Sequence, residues 1–109
     1  MLVKSNENIA VSELEKQNRI AEAAYHYGLF LESLGFDYKK DPQTKDTPLR
    51  VAKAWVNDLI KGTLTEAPKV TTFPNEEGYD GIVIQTGIKV NSICAHHNLP
   101  FYGYAAVAY

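Results

Sequence analysis

The spacing of apolar residues changes once along the chain, from a helical period to a strand period. Over about the first sixty residues, apolar side chains recur at steps of three and four, the spacing of one helix face. From Gly81 onward they alternate at steps of two, which is typical of a strand with one buried face. The chain is therefore predicted to be α+β, with N-terminal helices followed by an antiparallel β-hairpin.

Residues 1–62 form the predicted helical region, and its first helix has recognisable ends. Ser12 can cap the N-terminus with its side-chain oxygen. Gly35 can end the helix, because glycine readily adopts the left-handed conformation of a C-cap. The apolar stripe between these two positions consists of Ile20, Ala24, Tyr27, Leu31 and Leu34. This stripe predicts one buried face.

A second helix is predicted to begin at Thr47-Pro48 and to run to Lys61. Proline is favoured at the first helical position, because the N–H that it lacks would have no partner there. Trp55 and Leu59 lie on the predicted apolar stripe of this helix. We interpret Trp55 as an anchor of the core.

The last two regions are a connection and a hairpin. Residues 63–80 contain prolines and glycine among mixed residues and are predicted to be an irregular connecting segment. Residues 81–109 hold two apolar runs with histidines between them, which is the pattern of a β-hairpin. In the first run, Ile84 and Ile88 share the predicted inward parity that Cys94 continues.

The charge and hydropathy of the chain argue against two classes of partner. Lys and Arg number 11 and Asp and Glu number 13, so the formal net charge is −2. Nucleic-acid-binding domains generally carry a basic surface, so we expect no nucleic-acid partner. The N-terminus has no long apolar run, so we also expect no signal peptide, no membrane partner and a cytoplasmic location.

One cluster combines sulfur and nitrogen ligands, the sequence Cys94-Ala95-His96-His97 at the predicted turn. Zinc favours thiolate and imidazole, and Cys94 and His97 are close enough in sequence to chelate one ion. Because Cys94 is the only cysteine of the chain, an internal disulfide or a multi-cysteine zinc site is excluded. From spacing alone, a free cysteine beside surface histidines is the commoner arrangement, and both interpretations stay open.

Two segments resemble the GTP cyclohydrolase I family. The segment Cys94–Gly103 resembles the family's signature, which usually begins Cys-Glu-His-His. Residues 47–55 resemble its Thr-Pro-x-Arg-Val-Ala-Lys helix. The resemblance covers the chain from about Gly28 to its last residue. Ala95 departs from it by standing where the family usually has glutamate, which removes a carboxylate next to the predicted ligands.

This resemblance implies a fold and an assembly. The family has the tunnelling fold, in which small sheets from several subunits close a barrel, so we expect a homo-oligomer. Residues 1–109 would form a single partial domain, the first half of such a subunit. The resemblance implies that the third zinc ligand, the acid that binds guanine and the basic contacts to the triphosphate lie beyond Tyr109.

The same resemblance implies the chemistry. Cys94 and His97 would bind zinc, and His96 would move protons beside the metal. The expected reaction is the hydrolytic opening of the guanine ring of GTP, which gives 7,8-dihydroneopterin triphosphate and formate and supplies a pterin, folate or deazaguanine precursor. A second hypothesis is a truncated relative without catalysis that acts as an assembly or binding module. A tunnelling-fold enzyme with another pterin or deazaguanine substrate is a third.

Overall fold

Two helices precede a two-stranded antiparallel sheet in the structure, a computed structural model that describes residues 2–109. The elements are helix α1 (Glu13–Ser33), helix α2 (Thr47–Ala54), a π-helical turn (Trp55–Leu59), strand β1 (Ile84–Ile93) and strand β2 (Pro100–Ala108). This order confirms the predicted α+β fold class. The chain divides into two compact units, the first ending at Ala67 and the second beginning at Pro68, and each is described by itself below.

Both predicted ends of α1 are confirmed. The Ser12 Oγ accepts a hydrogen bond from the Glu15 backbone N–H at 3.1 Å, so it occupies one of the donors that the first helical turn leaves free. Gly35 follows the C-cap with a φ of 94°, a left-handed conformation that glycine adopts without a Cβ penalty. The stripe between them buries Ile20, whereas Leu34 at its end is 58 % exposed.

The second helix departs from its prediction beyond α2, because the chain widens into the π-helical turn. The Ile60 N–H donates to the carbonyl oxygen of Trp55 at 2.9 Å, a bond that spans five residues instead of four. Ala52 and Val56 are four residues apart and share the buried face, while Trp55 is only half-buried and Leu59 is 46 % exposed. Val56, and not the expected Trp55, is the core residue here.

The core of the first unit includes a residue from the predicted connecting segment. Leu64 is 1 % exposed and is the most deeply buried large side chain among the described residues. It packs with three residues from the two helical regions, Ile20, Ala52 and Val56. Leu64 thus closes a small apolar cluster that the helices alone would leave incomplete.

An extended N-terminal segment lies beside Leu64. The Ile9 N–H donates to the Thr63 carbonyl oxygen at 2.8 Å, and the Val11 N–H donates to that of Leu64 at 3.2 Å. These bonds satisfy backbone groups that would otherwise be costly to bury. Val11 also packs against the core cluster. The segment before α1 therefore belongs to the first unit's fold.

A close approach between α1 and the loop that follows it depends on a glycine. Gly28 is buried on α1, and a Cβ placed there would lie 2.9 Å from Cζ of Tyr38, with the hydroxyl closer still. The Thr44 hydroxyl donates to the Tyr38 carbonyl oxygen at 3.1 Å, which fixes the backbone that carries this ring. The ring thus occupies the space above Gly28.

The second unit contains the hairpin, whose register slips once. Gln85 pairs with Val107 and Ile88 with Ala105, so three steps on β1 match two on β2. Gly87 lies inside this β-bulge with a φ of 67°. Because the extra residue inverts the alternation, side chains on either side of the bulge with the same sequence parity point to opposite faces.

Because of the bulge, the prediction that Ile84 and Ile88 share one inward face is wrong. Ile84 is paired with Ala108 and Ile88 with Ala105, positions of opposite parity on β2, so these two isoleucines lie on different faces. The half-buried face comprises Ile88, Val90, Gly103 and Ala105.

Among residues 2–109, neither helix combines the length and the apolar character that crossing a bilayer requires.

Candidate metal centre

The predicted cluster lies in the turn that joins β1 to β2, and two backbone bonds close this turn. The Cys94 N–H donates to the Leu99 carbonyl oxygen, and the Asn98 N–H donates to that of Cys94, each at 2.8 Å. Asn98 has a φ of 55°, the left-handed conformation that reverses the chain. Cys94 therefore lies at the base of the turn and both predicted histidines lie in it.

Cys94 is a free cysteine, and as a residue it is half-buried. Its Sγ lies 4.0 Å from Nδ1 of His96. The backbone N–H of His97, and after it that of His96, stabilises the thiolate and lowers the pKa of Cys94, while desolvation opposes this effect. The turn thus favours the form of cysteine that binds metals and reacts as a nucleophile.

Both histidines are exposed, and the structure brings them unequally close to the sulfur. The rings of His96 and His97 have centroids 6.4 Å apart and planes tilted by 37°, so they do not stack face to face. The Sγ of Cys94 approaches the His96 ring, whereas no hydrogen bond between described residues joins it to the His97 imidazole. The expected ligands Cys94 and His97 therefore share the turn, and no hydrogen bond joins their side chains in the described part of the chain.

The donor chemistry of this turn fits zinc in kind but supplies only part of a ligand set. Thiolate and imidazole are the ligands of many zinc sites, and a catalytic zinc commonly has three protein ligands. Within residues 2–109, no group of three or more His, Cys, Asp or Glu side chains is arranged to hold a metal ion. Ala95 contributes no carboxylate to the turn. Further ligands would have to come from outside the described residues.

A groove elsewhere in the second unit does not include these residues. It has a volume of about 830 Å³, and aromatic and acidic side chains such as Phe73, Tyr79, Tyr109, Glu76 and Glu77 line it.

The sequence analysis assigned no role to Asn98, which lies in the Cys94–His97 turn region. The available sign was its residue type, because asparagine tolerates the left-handed region better than other residues with a side chain.

Comparisons with known proteins agree with both resembling segments. The family GTP cyclohydrolase I matches residues 22–109. GTP cyclohydrolase 1 of Porphyromonas gingivalis is 41 % identical over 101 residues, which are 91 % of this chain and 51 % of that protein. The enzyme of the same name from Flavobacterium johnsoniae is 41 % identical over 80 residues, 72 % of this chain and 35 % of that protein. The corresponding protein of Haemophilus ducreyi is 35 % identical over 96 residues, 87 % of this chain and 44 % of that protein.

The chain spans about half the length of the curated relatives that it matches. The match includes α2, the hairpin and the whole Cys94–His97 turn. Since the family match extends over most of the sequence, the chain belongs to the GTP cyclohydrolase I family.

Proposed function

We propose that this chain provides the N-terminal half of a zinc-dependent GTP cyclohydrolase I subunit. The reaction is the hydrolytic opening of the guanine ring of GTP to 7,8-dihydroneopterin triphosphate and formate. Family membership supports the proposal, and the observation that carries it is the Cys94 sulfur, which faces backbone donors and lies 4.0 Å from Nδ1 of His96.

In this proposal, Cys94 and His97 are the zinc ligands that the chain contributes. The lowered pKa of the Cys94 thiol supports this role, because the thiolate is the form that binds zinc. When bound, zinc supplies Lewis-acid chemistry and lowers the pKa of a water to about 7. The exposed position of His97 leaves its imidazole accessible to a metal ion.

His96 is the proposed acid–base residue. Imidazole is the side chain that exchanges protons most readily near neutral pH, which ring opening and formate loss both require. Its exposed ring can meet a substrate above the turn. Ala95, next to it, can neither orient the ring nor accept a proton.

The proposal includes assembly with further copies of the chain. Tyr102 is 88 % exposed and Tyr104 is 73 % exposed on one face of the hairpin. Exposed aromatic side chains of this size favour contact with another protein surface. We propose a cytoplasmic homo-oligomer with the tunnelling fold, in which residues 1–109 belong to one domain and GTP is the small-molecule partner.

The test measures zinc content and formate release from GTP in a complete subunit that contains this half, unaltered and in four variants. We expect Cys94→Ala and His97→Ala to lose both, because each removes a ligand. His96→Ala should keep zinc and release formate about 100-fold or more slowly, the usual effect of losing a general acid or base. His26→Ala is the matched control, since this exposed histidine lies on α1, outside the turn, beside Glu22 and Tyr25.

Two outcomes would contradict the proposal. A His96→Ala variant with full activity would refute the role of this residue. If the unaltered complete subunit holds no zinc and releases no formate, the proposed enzymatic function is refuted. The exposed tyrosines of the hairpin would then favour the second candidate function, a non-catalytic assembly or binding module.

A further inference from the structure

We propose that Asn98 is a positioning residue that holds the Cys94–His97 turn in its metal-binding shape through its own backbone conformation. The inference rests on the proposed metal site and adds a residue to it. Asn98 would bind neither metal nor substrate. Its contribution is the direction in which the chain turns after His97.

The backbone of Asn98 is exceptional in this structure. Its φ of 55° is the only positive φ of a non-glycine residue among residues 2–109. Most residues with a Cβ are strained in this left-handed region, whereas glycine is not and asparagine tolerates it comparatively well. The conformation at position 98 therefore restricts which residues can form this turn without strain.

The hydrogen bonds of the turn depend on that conformation. The Asn98 N–H donates to the Cys94 carbonyl oxygen, and the chain then returns so that the Leu99 carbonyl oxygen accepts from the Cys94 N–H. Both bonds measure 2.8 Å and both involve the backbone of the ligand residue. A different φ at Asn98 would separate these partners.

The same turn places Nδ1 of His96 4.0 Å from the Cys94 sulfur. If the turn opens, the His96 ring loses its place beside the sulfur. The Asn98 side chain is exposed and makes no hydrogen bond within the part of the chain that the structure describes. Its effect must therefore come from the backbone, and we expect glycine at position 98 to preserve the turn.

The experiment compares the unaltered chain with Asn98→Ala, Asn98→Gly and the control Asn91→Ala, an exposed asparagine of β1. Co²⁺ is the probe, because thiolate binding gives it a characteristic absorption. We expect Asn98→Ala to bind Co²⁺ about tenfold more weakly, as the left-handed conformation costs alanine enough to change an equilibrium by that factor. Asn98→Gly should rescue the affinity to within about threefold, and Asn91→Ala should match the unaltered chain.

Amide hydrogen exchange of the Cys94 N–H in metal-free protein separates this inference from the metal site itself. We expect about tenfold faster exchange in Asn98→Ala, with rescue in Asn98→Gly, because the turn opens more often. If Asn98→Ala behaves as the unaltered chain in both measurements, or Asn98→Gly fails to rescue, the positioning role is refuted. If the unaltered chain binds no Co²⁺ while exchange responds as expected, the metal proposal fails and the control of the turn by Asn98 is supported.

Discussion

Replacing Gly28 by alanine should destabilise the first unit, although alanine is the better helix former. In a helix interior this exchange alone contributes about 1 kcal/mol in favour of alanine. Here the new Cβ would lie 2.9 Å from Cζ and 3.3 Å from Cε1 of Tyr38, closer than real contacts allow. Overpacking of this kind costs about 1–3 kcal/mol. The expected net effect is a loss of up to about 2 kcal/mol in the free energy of unfolding.

The background Tyr38→Ala makes this prediction sharper, because it removes the ring that the new methyl group would meet. In that background Gly28→Ala should stabilise the unit by about 1 kcal/mol, since only the helix preference remains. The sign of the substitution therefore reverses between the two backgrounds. Tyr38→Ala also lowers the free energy of unfolding by itself, and this effect cancels because Gly28→Ala is compared within each background.

Urea unfolding followed by far-ultraviolet circular dichroism measures these four free energies, because α1 and α2 supply the helical signal. The double-mutant cycle should give a coupling of about 1–3 kcal/mol between the two positions. If Gly28→Ala stabilises both backgrounds equally, the ring of Tyr38 does not occupy the space above α1, and the packing described for this contact is wrong.

Three further measurements test other parts of the structure. Leu64→Ala should reduce the free energy of unfolding by about 2–5 kcal/mol, and Leu59→Ala by less than about 1 kcal/mol because it is 46 % exposed; equal effects would contradict the assigned core. Ser12→Ala should cost about 1 kcal/mol through the lost helix cap, whereas Ser12→Gly should cost only a few tenths. Iodoacetamide should alkylate Cys94 of the metal-free folded chain with a midpoint at lower pH than in urea, because hydrogen bonds from the turn's backbone lower the pKa of the folded thiol. Urea should return that midpoint to the ordinary value, and an unchanged midpoint in the folded chain would rule out the stabilised thiolate.

Features set by a few neighbouring residues could be predicted from the sequence. The cap at Ser12 and the glycine end of α1 each depend on the chemistry of one side chain and its nearby backbone. The hairpin, with Cys94 and the two histidines in its turn, follows from a strand period interrupted at one place. Local rules suffice for these features because the interactions are themselves local.

Features set by tertiary packing or by one inserted residue could not. Val56 occupies the core position instead of Trp55, because the helix packs its Ala52–Val56 face against Ile20 and Leu64, and apolar spacing alone does not say which of two neighbouring faces is packed. Leu64 stands in a segment that reads as a connection, and it is buried only because α1, α2 and the N-terminal segment meet around it. The left-handed φ of Asn98 likewise becomes evident only once the turn is closed.

The bulge at Gly87 also decides which neighbours the two ends of β1 can have. The single inserted residue determines whether the side chains of Ile84 and Ile88 lie on the same face of the sheet or on opposite faces. Deleting Gly87 would leave every side chain in the hairpin and yet exchange the surface that one end presents to a partner. If surface variants are chosen by assuming regular alternation along β1, variants before and after the bulge will therefore lie on opposite faces of the sheet. The number of residues between the Cys94 turn and the start of β1 therefore determines the two surfaces of the sheet as much as their identity does.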